Sequence, residues 1–252
     1  MNYAMIILCA LLTAGTTFGT GAASAAAPGQ VACVYDLAGE VSVQKTGSAA
    51  WLTAGKGLPL AEGDKVRTGS TAWCEILFKD GTFIKLDSDS ETAAETVKIT
   101  AEERSLSFSF LKGKALWMAA KLKKKIASKF SVHTPSAVCA VRGTDFSIAV
   151  STSGETAIGL FNGVVALSND SGEKELLPGG EASAGTGGIA VKDRFSTLMR
   201  AEEKRYIRIK GRVDSLRKRL EERNDFIDDY VSRQEKKLSD FEQRRQEKLK
   251  KR

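Results

Sequence analysis

Past Gly188 the sequence contains no proline and a single glycine, Gly211, whereas before it turn-forming residues recur at short intervals. Glycine and proline are the strongest local breakers of regular structure, so this one change divides the chain into two kinds of fold. The first part can only form short elements joined by tight turns. The second can form long uninterrupted helix.

In the first part the apolar runs are short and several alternate with period two: Val31–Tyr35, Val41–Val43, Ala72–Phe78, Thr82–Leu86, Leu106–Phe110, Ala140–Val150 and Val164–Leu167. Between them stand Gly39, Gly63-Asp64, Asp80-Gly81, Gly113, Asn162-Gly163 and Gly179-Gly180. Asp-Gly in "KDGT" and Asn-Gly in "FNGV" predict two-residue hairpins, because both dipeptides accept positive φ. Many short strands with such punctuation predict an all-β domain, a short-stranded sandwich or a solenoid-like stack. Leu116–Lys129 is the one internal segment whose pattern also fits a helix.

After the boundary, Ile209, Val213, Leu216, Leu220, Ile227 and Tyr230 recur at steps of three, four or seven, the seam of one long amphipathic helix. Asp214/Lys218, Asp229/Arg233, Asp240/Arg244 and Glu247/Lys251 stand four apart and support it. From Arg194 onward 20 of the 38 Lys+Arg face 12 of the 31 Asp+Glu, so the remaining 18 and 19 leave the β part near neutral. A basic helix with no core of its own pairs as a coiled coil or lies along another surface.

Four units follow: a signal peptide at 1–25, a β domain at 31–180, a Gly-rich linker at 181–190 and the basic helix at 191–252. Ala4–Leu12 is apolar apart from Cys9 and too short to span a bilayer, and Ala23-Ser24-Ala25 offers a cleavage site. The expectation is therefore an exported protein of the periplasm or cell envelope. Cys33, Cys74 and Cys139 each lie in an apolar run and read as small buried hydrophobes; a Cys74–Cys139 bridge is left open. His133 is the only histidine and has no nucleophile at a diagnostic spacing, and "DSDSE" lacks the glycine and distal acid of a calcium loop. The chain therefore reads as a non-enzyme without metal site or cofactor.

One stretch, "HTPSAVCAVRGTDFSI", places Arg142 inside an apolar alternating run. An unpaired buried charge costs several kcal/mol, about 3–5 when a partner is removed. Arg142 therefore reads as a structural tie rather than a ligand site, with Asp64 the first choice of partner and Asp80 and Asp145 behind it. Gly143 permits a bulge there.

The motifs "AGEVSVQ", "LAEGDKVRTGS", "EILFKDGTFIKL", "LKGKALW", "FSVHTPSAVCAVRGTDFSI", "GLFNGVVAL" and "LLPGG" occur in this order. Together they resemble the FecR domain, the periplasmic module of bacterial iron-citrate regulators and other envelope proteins. The resemblance covers about Val31 to Gly180. It carries over Thr134, Pro135, Val141, Arg142, Gly143, Thr144 and Phe146 as the family core motif, and Gly63, Asp64, Thr68, Gly69, Asp80 and Gly81 as turn motifs. The family's regulators have an anti-sigma segment and a membrane span ahead of the domain, where this sequence has its signal-peptide-like segment. The resemblance implies a protein-interaction or scaffold module of the envelope, linked to envelope signalling, with an unknown envelope protein as partner.

The other reading is an envelope-surface binder. Lys121, Lys123, Lys124 and Lys125 with the basic helix would then hold anionic glycan or lipid headgroups of the membrane surface. A homo-oligomer through the helix is a further expectation. Nucleic acid is disfavoured by the export signal and by too few aromatics for a stacking platform.

Overall fold

The structure is a computed structural model describing residues 31–121 and 126–250. The signal-peptide expectation and Lys123, Lys124 and Lys125 lie outside the described residues.

Fifteen strands precede two helices. They are β1 (Ala32–Ala38), β2 (Val41–Gln44), β3 (Trp51–Thr53), β4 (Pro59–Leu60), β5 (Lys65–Thr68), β6 (Trp73–Phe78), β7 (Phe83–Leu86), β8 (Glu91–Ile99), β9 (Glu103–Met118), β10 (Ala127–His133), β11 (Val138–Val150), β12 (Thr156–Asn169), β13 (Gly172–Leu176), β14 (Glu181–Gly185) and β15 (Gly188–Lys192). The helices are α1 (Thr197–Glu222) and α2 (Phe226–Lys250).

The register explains the architecture. β9, β11 and β12 are long, and each changes neighbours partway. The first half of β9 pairs β8 and, in parallel, β10; its second half pairs β7 and β11. β12 likewise pairs β14 with its first half and β13 with its second. One layer thus runs β3-β2-β5-β8-β9-β10-β11-β12-β13 and the other β4-β1-β6-β7-β9-β11-β12-β14-β15, with the three long strands passing from one to the other. The two inner faces enclose a core around Trp117, which packs against Phe108, Phe110, Phe130 and, stacked at 6.2 Å, Phe146.

Alternation builds a second core outside. In the second layer Val34, Ile76, Ile84, Ala115 and Trp117 point inward, so Cys33, Leu77, Phe83, Leu116 and Met118 point outward. The helices cover that outer face with Tyr206, Val213, Leu216, Leu220, Phe226, Ile227 and Val231. A β-rich domain followed by a helical segment is therefore the architecture, with all fifteen strands joined in one open sheet.

Several expectations change. The helical segment is two helices, because Arg223 takes an extended conformation and the chain turns through Asn224-Asp225 before α2 begins. Residues 181–190 are not a linker: they form most of the β14–β15 hairpin, whose turn glycines belong to the sheet. "FNGV" makes no hairpin, since Asn162-Gly163 lies inside β12 and Gly163, at φ +88°, bends that strand. Leu116–Lys129 contains no described helix; its ends belong to β9 and β10. Cys33, Cys74 and Cys139 are free and buried, with burial pushing each thiol up to about 12.

Candidate interaction surface

The "VRGT" motif is a β-bulge. Register slips between Arg142 and Asp145 opposite Asn162, and Gly143 sits at φ +61°. Gly163 lies against Thr144, where an added Cβ would come within 2.5 Å of its Cγ2. Val141, Thr144 and Phe146 are buried, whereas Arg142 is exposed and no described carboxylate pairs with it. The expected tie at Arg142 therefore gives way: the bulge turns its side chain to solvent. Asp64 instead closes its own turn, accepting from the backbone N–H groups of Thr46 (2.9 Å) and Ala61 (2.9 Å) and pairing with Lys45.

The buried arginine of this domain is Arg104, 2% exposed. It donates to Asp80 Oδ2 (3.1 Å) and to the carbonyl of Ala120 (2.8 Å), while Asp80 also accepts from Thr82 N and Oγ1. Asp80 was one of the carboxylates expected to hold an arginine; the arginine is a different one. Thr134 closes a local turn with Ala137 beside Pro135, and Thr68 donates to the carbonyl of Asp87. Gly63 N–H donates to the carbonyl of Ala94 (2.6 Å), Gly69 N–H donates to the carbonyl of Glu40 while its own carbonyl accepts from Ala72 and Asp89, and Gly81 presents its carbonyl to α1. Lys121 is exposed.

The arrangement with most chemical content is the seat of the helices. Ser196 caps α1, its Oγ accepting from Met199 N (3.3 Å), and the Met199 side chain packs over Gly159, where an added Cβ would come within 2.8 Å of its Sδ. Arg212 then reaches Glu75 through both carboxylate oxygens (2.6 and 2.7 Å), beside Lys85 at 2.7 Å. Burial alone would raise the Glu75 carboxyl, but the hydrogen bonds from Arg212 and Lys85 outweigh it and hold it below the usual range. Arg205 takes Asp87 in a fork, and Lys114 reaches buried Glu202 at 2.7 Å. Arg217 donates to the carbonyls of Gly81 (3.0 Å) and Met118 (2.9 Å), and Tyr206 donates to Asp145 (2.9 Å). Arg205, Arg212 and Arg217, which composition presents as free charge, are thus consumed in the clamp.

The expected seam is occupied by the same contact. Val213, Leu216, Leu220 and Ile227 are buried on the β domain, with Ile209 and Tyr230 half-buried at its margin. Tyr230 packs on Tyr35 at 5.0 Å and donates to its carbonyl. A coiled coil through these positions is excluded, because their apolar face has no surface left to offer. Of the four charge pairs, Asp229–Arg233 forms at 3.0 Å, while Asp214 pairs with Lys210 and Arg217 instead of Lys218.

Docking ends at Gln234, which lies on the β3–β4 loop at Gly57. From Glu235 to Lys250 the helix continues clear of the domain for about 24 Å at 1.5 Å per residue. Leu238, Phe241 and Leu249 on this arm are 61%, 65% and 56% exposed. Neither arm nor clamp was visible in the spacing of apolar residues, which continues unbroken from one to the other. No described helix is long and apolar enough to cross a membrane.

Residues 64–166 match the family model described as FecR protein. No curated protein matches the chain. Two crystal structures of a proposed anti-sigma factor from Parabacteroides distasonis ATCC 8503 are similar, each at 20% identity with a TM-score of 0.43. The similarity covers 52% of this chain, which spans 59% of the length of those chains. The matched residues run from the Asp64 turn to the middle of the β12–β13 pairing and include the bulge at Arg142–Thr144, so this stretch of the β domain is similar to the FecR family.

Proposed function

We propose that the protein is a non-catalytic interaction module of the bacterial cell envelope, exported and linked to envelope signalling, which presents its C-terminal arm to a partner protein. The observation that carries this reading is the division of the helical segment. α1 is fastened to the β domain by the Glu75–Arg212 and Asp87–Arg205 pairs, the first turns of α2 are seated on it by Phe226, Ile227, Tyr230 and Val231, and the remainder of α2 is held out free. A helix anchored in this way reaches a partner without first losing conformational freedom, which lowers the cost of binding. The family match supports a regulatory rather than a catalytic role and the link to envelope signalling.

Holding anionic glycan or headgroups is the weaker reading. Arg205, Arg212 and Arg217 already have partners on the sheet, which leaves less free positive charge than the composition implies.

The test is crosslinking and mass spectrometry in the native envelope, comparing the full chain with one ending at Gln234. A discrete protein partner lost on truncation is the expected result. A partner retained by the truncated chain places recognition on the β domain. Salt-sensitive sedimentation with envelope and no protein crosslink overturns the module reading.

A further inference from the structure

The clamp shows what this helical segment binds when a partner is present, and the arm repeats the same chemistry with the partner missing. On α1, apolar residues flanked by arginines meet a surface of Leu77, Phe83, Leu116 and Met118 edged by the carboxylates of Glu75, Asp87 and Asp145. On the arm, at about 100° per residue, Leu238, Phe241, Leu249, Lys237, Arg244, Arg245 and Lys248 share one sector of about 140°. Glu235, Asp240, Glu242 and Glu247 all fall outside it, Glu242 at its edge. None of Lys237, Arg244, Arg245 and Lys248 pairs with a described carboxylate, in contrast to Arg205 and Arg212. An apolar stripe bordered on one side by unpaired cations is incomplete in the way α1 would be without its sheet.

Position decides among the surfaces that could complete it. Leu238 and Phe241 follow Val231 and Gln234 by seven residues, so they lie on nearly the same side of the helix. Val231 and Gln234 rest on the β domain. The arm therefore presents its stripe on the side of the helix that Val231 and Gln234 turn toward the β domain. A flat bilayer approaching that side meets the β domain first. A second copy of the arm, packed parallel, brings Arg245 against Arg245. Packed antiparallel, it brings the Lys237–Arg244 ridge against its own equivalent, and like charges there oppose association.

Resting on the reading of the arm as the interaction site, we propose that its occupant is an acidic amphipathic segment of another protein. That segment's apolar side chains cover Leu238, Phe241 and Leu249, and its carboxylates answer Lys237, Arg244, Arg245 and Lys248. Arg245, set between Phe241 and Leu249, extends its aliphatic stem over the stripe while its head takes a carboxylate.

The test titrates the full chain into two labelled helical peptides read by fluorescence anisotropy. Both carry leucine at heptad seam positions; one carries glutamate at the flanking positions and the other lysine. The glutamate peptide should bind at least tenfold more tightly, and its affinity should fall as salt is raised. The variant F241D should lose that binding, and K237E/R244E should reverse the preference toward the lysine peptide. Both changes are on the undocked arm, so thermal unfolding should match the parent chain. Equal affinity for the two peptides, or no reversal in K237E/R244E, overturns the proposal. So does arm-dependent flotation with vesicles of phosphatidylglycerol and phosphatidylethanolamine, or arm-dependent dimerisation by sedimentation velocity. If neither peptide binds while native crosslinks still vanish on truncation at Gln234, the module reading stands and the acidic partner falls.

Discussion

Arg104 and Arg142 are both strand arginines flanked by residues that alternate in and out, yet one is buried and the other faces water. The difference is a single register slip. The Gly143–Thr144 bulge turns Arg142 outward, whereas Arg104 keeps regular register opposite Ile99 and Ser128 and reaches Asp80 and the Ala120 carbonyl. Removing Arg104 leaves Asp80 with only its Thr82 contacts in a dry site, where burial already opposes the charge on the arginine itself. Arg104→Ala should therefore destabilise the domain by about 3–5 kcal/mol. Arg142→Ala should stay within about 0.5 kcal/mol, as an exposed substitution does. Urea unfolding of the two variants checks this, and equal losses would return the tie to Arg142. Asp80 was legible as an arginine partner because it sits in a turn. Arg104 was not, because "EERSLSF" reads as the polar start of a strand until Asp80 is placed beside it.

α1 owes its position to pairing as much as to apolar contact. Val213 and Leu216 are almost fully buried, each contributing about 1.5–3 kcal/mol. The Glu75 pairs then fix where along the sheet the helix sits. The folded state holds the Glu75 carboxyl below its usual range, so its contribution is complete above the unfolded value near 4.3. That contribution is lost as pH falls through the lower folded value. Stability of the parent chain should therefore decline on acidification below about pH 4.3. E75Q, less stable at neutral pH, should decline less over the same range. Denaturant unfolding at pH 7 and in acid distinguishes them; parallel acid limbs would mean that Glu75 is not the group that titrates. Helix and seam were readable from the sequence at 3.6-residue spacing. The break was less so, although Asn224-Asp225 followed by Asp228 and Asp229 is a helix start in its own right, with acids at the positive end of the helix dipole.

Across the whole molecule, two layers and a helical cover form one body from Val31 to Gln234, and the rest of α2 stands apart from it. Local stability should follow that division, since the arm has hydrogen bonds but no tertiary contact to hold them. Within the helices, trypsin should cut first after Lys236, Lys237 and Arg244, leaving a product that melts with the parent chain. Mass spectrometry of early digests reads the sites. A first cut at Arg223 would show that all of α2 leaves the domain as a unit.

The sequence by itself determined the β-then-helix order, because glycine and proline placement and apolar period are local properties that no tertiary contact can reverse. It also carried the FecR motifs, whose turns depend on residues next to one another in the chain. Tertiary structure alone decided which arginine is buried, that Asn162-Gly163 bends a strand instead of ending it, and that the seam from Val213 to Ile227 belongs to the protein's own sheet. Each of those outcomes depends on what stands opposite, across a register or an interface, and a one-dimensional pattern of apolar and charged residues does not contain the opposing surface. The same limit separates the clamp from the arm: their sequences share one period, and only the end of the β domain beneath Gln234 makes the first a core and the second a surface.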